Sequence, residues 1–222
     1  MPGKKRGRRP TNAELSEETI ARLLSTAKQE FGRLGYVAAS VETIAELSGL
    51  TKGAVYYHFR NKEGLFEAVL RSSQRALVQR IDHEAEAAGE AVEAVIAGCQ
   101  AFVAVASDEQ LRRIILVDGP AVLGWAKWRQ IDGEFGLGSL KEGLKALEGR
   151  PDLDMEVTAH LISGALNEAA LYVADAHDPA AANVRVSRSL GPWLRALLGP
   201  GDGKSPATRR LEPRPRRREA LR

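Results

Sequence analysis

Apolar residues recur along this chain at spacings of three and four from Leu15 to Leu198, and no stretch keeps a strict alternation. That period belongs to helices that bury one face, so the chain reads as all-α. Ile20, Leu24, Ala27, Phe31 and Leu34 mark the buried stripe of a first helix. Ser16 is placed to cap it, Leu15 to staple onto Ile20, Glu17 and Glu18 to meet the positive end of its dipole, and Gly35 to end it. Ser40 then predicts a helix over 41–48, Thr51 one over 52–58, and Asn61 a long one from Lys62 to about residue 87. Further helices are expected near 90–106, 108–117, 121–147, 153–176 and 180–198, about nine in all. Asp108 and Pro151-Asp152 mark starts, while Gly119-Pro120 and Gly199-Pro200-Gly201 mark breaks.

The second and third of these helices are short, and the turn between them is specific. Ala45 is small enough for a crossing helix to come close, Gly49 sits where the chain reverses, and Val55 is placed to pack back. Two short helices meeting steeply at this spacing form a helix-turn-helix, whose second helix enters the major groove N-terminus first. There Lys52 can donate to guanine, Thr51 can hydrogen-bond and Ala54 can touch a thymine methyl, while Gly53 lets the backbone approach. Tyr56, Tyr57, His58 and Lys62 have donors for flanking phosphates, as do Ser40 and Thr43 at the start of the preceding helix. The run Tyr56-Tyr57-His58-Phe59 also has a plainer use as an aromatic cluster closing a small core, and Phe59 is assigned that role.

Charge divides the chain further. The net +3 conceals +5 in residues 1–10 and +5 in residues 201–222, so the 190 residues between them carry −7. Basic ends on an acidic body suit contact with nucleic acid through the ends. Lys5, Arg6, Arg8 and Arg9 lie in Lys4-Lys5-Arg6-Gly7-Arg8-Arg9-Pro10, close to an Arg-Gly-Arg-Pro hook for a narrow minor groove; a purely nonspecific basic tail is the alternative. Four segments follow: a basic arm over 1–15, a DNA-binding domain over 16–62, a helical body over 63–200, and a basic tail over 201–222. Disorder is expected in the tail.

Composition excludes more than it adds. Hydrophobic residues make up 44% and charged residues 27%, as in ordinary globular proteins. Cys99 is the only cysteine, which rules out an internal disulfide and leaves a cysteine-based zinc site without partners. No cofactor or metal is called for, no apolar run approaches the roughly 18 residues of a membrane span, and a cytoplasmic protein is expected. There is no phosphate-binding glycine loop, His-Glu-x-x-His or Gly-x-Ser-x-Gly, so an enzyme is disfavoured.

The N-terminal segment resembles the DNA-binding domain of the TetR family of transcriptional regulators over about residues 16–70. The likeness runs through Phe31, Gly35-Tyr36, Ser40-Val41, Ile44-Ala45, the whole of Gly49 to Phe59, and Asn61-Lys62-Glu63-Gly64-Leu65-Phe66. It implies an all-helical homodimer whose C-terminal domain binds a small effector, usually with release from a palindromic operator on double-stranded DNA. It also implies that Thr51, Lys52, Gly53, Tyr56, Tyr57, His58 and Lys62 touch DNA. Leu116 to Trp125 is similar to a motif in some members, with no ligand attached to it.

Two further sites are expected in the body. Met155, Ala159, Ile162, Leu166, Ala169 and Val173 form a seam, and Trp193, Leu194 and Leu197 lie on the last helix; together they are assigned to the dimer interface, with a purely intramolecular seam as the alternative. A pocket is expected among residues 90–176, with Phe102, Trp125, Trp128 and Tyr172 as walls and Arg129, His160, Asn167 and Glu168 as orienting groups. A DNA-binding dimer without an effector is the alternative function.

Overall fold

The computed structural model describes residues 12–147 and 153–199, and every regular element among them is helical. Helix α1 spans Asn12–Ala38 with a kink at Gly35, whose φ of 80° and ψ of 163° leave the helical region. The helix therefore starts before Ser16, and residues 12–15 belong to it rather than to the arm. Ala13, Glu14 and Leu15 are strong helix formers, which extends the helix past the expected cap. Lys5, Arg6, Arg8 and Arg9, and the tail over 201–222, lie outside the described residues.

Helices α2 (Val41–Leu47), α3 (Lys52–Phe59) and α4 (Lys62–Ala88) begin where the caps predict. Ser40, Thr51 and Asn61 each accept a hydrogen bond from the backbone N–H three residues on. Between α2 and α3, Gly49 has a φ of 69°, the left-handed geometry that the reversal requires. Leu23, Ala27, Phe31, Ile44, Ala45, Val55, Leu65 and Phe66 are sealed inside this small domain. Phe66 meets Phe31 edge-on with ring centroids 5.2 Å apart and Tyr36 at 5.3 Å, so α4 is locked to both sides of the α1 kink.

Helix α4 continues into the second domain, where it packs along α5 (Ala91–Ala104). Helix α6 (Glu109–Arg112) is capped by Asp108 and runs into a π-helical stretch, Arg113–Asp118. The single helix expected over 121–147 is instead three: α7 (Gly119–Leu123), α8 (Trp125–Glu134) and α9 (Gly136–Lys145). Gly124, at φ 76° and ψ 154°, makes the first break, and Phe135, at φ −120° and ψ −93°, makes the second. Helices α10 (Met155–Ala174) and α11 (Pro179–Leu198) complete the bundle, capped by Asp154 and Asp178. No single described helix is long and apolar enough to cross a membrane.

Candidate functional site

The capped start of α3 stands at the surface. Thr51, Lys52 and Gly53 are exposed, Ala54 is half-buried, and Val55 turns inward as the sole fully buried residue of the helix. Tyr57 is 85% exposed and His58 is exposed beside it, while Tyr56 and Phe59 pack partly against the core. The structure thus separates the aromatic run into outward and inward halves. Helical spacing allows nothing else, since neighbouring positions point about 100° apart.

Electrostatics ties this face to α2. Lys52 pairs with Glu42, and Ser40 Oγ donates to the same carboxylate at 2.9 Å. The hydrogen bond from Lys52 holds the Glu42 carboxyl down at about 2, helped by its backbone and Ser40, and Glu42 raises Lys52 in return. Thr43 is exposed, its N–H directed to Ser40 Oγ at 3.4 Å. Lys62 donates to Val37 O at 3.1 Å and stands 4.6 Å over the Tyr36 ring, so it closes the end of α1.

That end of α1 is also gripped from the second domain. Tyr36 N donates to Asp118 Oδ2 at 2.8 Å, and Arg113 Nη1 donates to Gly32 O at 3.0 Å and Arg33 O at 2.7 Å. Carbonyls and an N–H freed near the Gly35 kink find their partners in the π-helical stretch. The contact between Tyr36 and Asp118 spans 82 positions, and no short-range pattern carries it.

A cavity of about 140 Å³ lies in the second domain between α4, α5, α9 and α10. Its walls include Ile81, Val95, Phe102, Leu137, Leu140 and Leu166, with Asp132, Ser139 and Ser163 as polar members. Of the expected pocket residues only Phe102 lines it. Trp125 is 66% exposed, and His160 and Glu168 are exposed as well. Trp128 is buried, its indole Nε1 donating to Ile115 O at 2.8 Å inside the π-helical stretch, so it is a structural donor. Asn167 is half-buried without lining the cavity, and Tyr172 lies on the opposite, outer face of α10 under Arg185. Arg129 sits behind the wall, donating from Nη1 both to Asp132 and, at 3.1 Å, to Ser163 Oγ.

Asp132 is a buried cavity-wall residue that the sequence pattern did not single out. Burial raises its pKa, and Arg129 and His160 oppose the shift. Beside Arg129 it looks like an ordinary surface pair, yet it follows Trp128 by four positions and so shares its buried face. Gln74 carries the same signal, falling between Leu70 and Leu77 on the apolar stripe of α4 and ending fully buried. Cys99 also lines the cavity, and burial pushes its thiol up to about 12. Among the described residues no group of three His, Cys, Asp or Glu could hold a metal ion.

The dimer seam needs correction. Ala159, Ile162, Leu166, Val173 and Leu194 are buried in the chain's own core, and Met155, Ala169 and Leu197 pack partly against it. The most apolar stripe of α10 is used up by its own bundle, because folding a single chain needs it first. Exposed apolar surface lies one step around the helices, at Val157, Leu161, Leu171 and Tyr172 of α10 and at Val184 and Trp193 of α11.

Comparison with known proteins agrees with both halves. Residues 23–69 match the family model for bacterial regulatory proteins of the tetR family, and residues 92–197 match that for the tetracyclin repressor-like C-terminal domain. The transcriptional regulator TtgR of Pseudomonas putida is 36% identical over 107 residues, which are 46% of this chain and 49% of TtgR. The chain therefore aligns with only about half the length of that relative. UidR of Escherichia coli is 24% identical over 192 residues, 83% of this chain and 93% of UidR. The crystal structure of a TetR-family regulator from Pectobacterium atrosepticum superposes with a TM-score of 0.70 at 31% identity, covering 86% of this chain and 98% of that one. Members of this group are DNA-binding transcriptional regulators and not enzymes. A capped recognition helix presented by a helical body, and likeness along nearly the whole of a solved relative, place the chain in the TetR family of transcriptional regulators.

Proposed function

We propose that this regulator is a cytoplasmic homodimeric repressor that leaves a palindromic operator when a small molecule enters the cavity of the second domain. One observation supports the reading: a continuous series of contacts joins the cavity to the recognition domain, buried at Trp128 and half-buried where Asp118 and Arg113 meet α1. Asp132 on the cavity wall shares α8 with Trp128; Trp128 holds Ile115 O; the same stretch holds α1 through Asp118 and Arg113. An occupant that shifts α8 therefore biases the α1 kink, against which Tyr36 and Phe66 fix α4. A body that served only dimerisation would have no need of this link.

Thr51 to Ala54 read bases in this account, while Tyr56, Tyr57, His58, Lys62, Ser40 and Thr43 hold phosphates. The basic arm enters the adjacent minor groove. The outer face of α10 and α11, with Leu161, Tyr172 and Trp193, meets its copy across a two-fold axis. The test uses a duplex selected from random sequence by the full chain. A metabolite panel is screened by thermal shift, and each stabilising compound is then tried for release of the duplex. Asp118→Ala should leave both affinities nearly intact while reducing release. Release that is as complete in Asp118→Ala as in the parent protein would remove the proposed link.

A further inference from the structure

The chemistry of the cavity wall names the class of effector, and this step rests on the effector reading given above. The volume of about 140 Å³ is small. A cavity of about 150 Å³ lined by aliphatic and aromatic side chains takes one benzene ring. Val95, Phe102 and Leu140 offer such a lining, and Ser139, though polar, is committed to Asp82 at 2.9 Å.

Unmet hydrogen-bonding capacity collects at one end. Among the described residues Arg129 is the one side chain that donates to Asp132, and it does so at Oδ2, leaving Oδ1 open. Ser163 Oγ accepts from the same guanidinium, which leaves its own O–H to be donated. Gln74 is fully buried with neither amide atom partnered. A Cβ added to Gly136, on the cavity wall, would lie 3.3 Å from Asp132 Oδ1 and 4.0 Å from Gln74 Oε1, so these groups converge there. Orphaned polar atoms in a native interior cost stability unless something meets them.

Charge then narrows the choice. Arg129 already balances Asp132, so an added cation would be buried without a counter-charge and an anion would face the carboxylate. A hydroxyl both donates and accepts, which an ammonium cannot do. We infer that the cavity binds an uncharged single-ring phenol, its hydroxyl donating to Asp132 Oδ1 and accepting from Ser163, its ring among Val95, Phe102 and Leu140.

Calorimetric titration of the full chain with 4-methylphenol, toluene, benzylammonium and benzoate tests the inference. The phenol should bind roughly tenfold tighter than toluene, a margin set by hydrogen bonds that toluene cannot make. Neither ion should bind measurably. Toluene equal to the phenol, a preference for either ion, or no binding by any of the four overturns it. Gly136→Ala places a methyl group against Asp132 Oδ1 and should erase the margin between phenol and toluene. Ser163→Ala should narrow that margin by several-fold, with toluene binding confirming that the cavity is intact. A margin unchanged in Ser163→Ala places the hydroxyl elsewhere and overturns the assignment. Adding the selected duplex separates the two levels of the argument. Phenol binding without release supports the ligand class and overturns the effector reading. Release by compounds of another class, with no phenol binding, does the reverse.

Discussion

The recognition domain and the helical body place their polar residues in opposite ways. Around α3 the polar groups stand outside, fixed by caps that lie within three residues of what they hold: Thr51 with Ala54 N, Ser40 with Thr43 N, Asn61 with Gly64 N. In the body the decisive polar groups lie inside and come from distant positions, Gln74, Asp132 and Ser163, with Arg129 bridging the last two. A DNA groove is a large external surface, and a short rigid element suffices to meet it. A small molecule must be enclosed, so its site needs several elements at once. Local chemistry builds the first, and tertiary packing builds the second.

The largest expected effect tests whether the two regions can be separated. Val55 is the pivot of α3 and fully buried, so Val55→Asp places an unpaired charge in the small core at a cost of about 3–5 kcal/mol. DNA binding should be lost, as read by fluorescence anisotropy. The core of the body, built on α5, α9, α10 and α11, should keep its own unfolding transition. A single merged transition that collapses with the substitution would show that the halves fold as one unit and would end the contrast.

How far each region could be read from sequence follows from the same contrast. The caps at Ser40, Thr51 and Asn61, the reversal at Gly49 and the inward Val55 were all legible, because each depends on neighbours a few residues away. The break at Phe135 was not, because Gly133, Gly136 and Gly138 weaken a helix there without stating where the chain turns. Trp125 and Trp128 both read as pocket walls, yet one faces solvent and the other holds a carbonyl of the π-helical stretch. The stripe from Ala159 to Val173 was recognised as a seam, but periodicity states that a face is buried and not by whom.

The next effect probes the seam between the regions. Trp128→Phe keeps most of the buried ring but removes the donor to Ile115 O, leaving that carbonyl unpaired at a cost of about 1–3 kcal/mol. Thermal denaturation should show the loss, and DNA affinity at a temperature where the protein stays folded should change little. A large drop in affinity would place the π-helical stretch inside the DNA-binding account.

Removing a local cap is milder. Thr51→Ala deletes the acceptor for Ala54 N and should cost about 1 kcal/mol of stability. Because Thr51 also stands at the end of α3 proposed to read bases, its loss should alter preference among duplexes. Tyr56→Phe with His58→Ala should weaken all duplexes alike, as phosphate contacts carry no sequence information. Competition binding against a panel of altered duplexes distinguishes the two patterns, and a uniform loss in Thr51→Ala would reduce it to a cap.

The smallest effect concerns Glu42, which holds Lys52 while no DNA is present. Its carboxyl, held at about 2, remains ionised across the neutral range. A depressed carboxyl contributes above its unfolded value and loses that contribution only as pH falls toward about 2. Titration of Glu42 between pH 5 and 8 therefore releases nothing, and Lys52 stays paired throughout that window. Only a substitution frees it. Glu42→Gln should raise DNA affinity by roughly two- to threefold at low salt, since an exposed ion pair is worth little and a repelling carboxylate is removed. The gain should shrink as ionic strength rises and screens the surface charges. In the Lys52→Ala background the same substitution should give less, because only the repulsion then disappears. An equal gain with and without Lys52 would mean that Glu42 acts on the phosphates alone, and that the pair seen in the free protein does not restrain the reading helix.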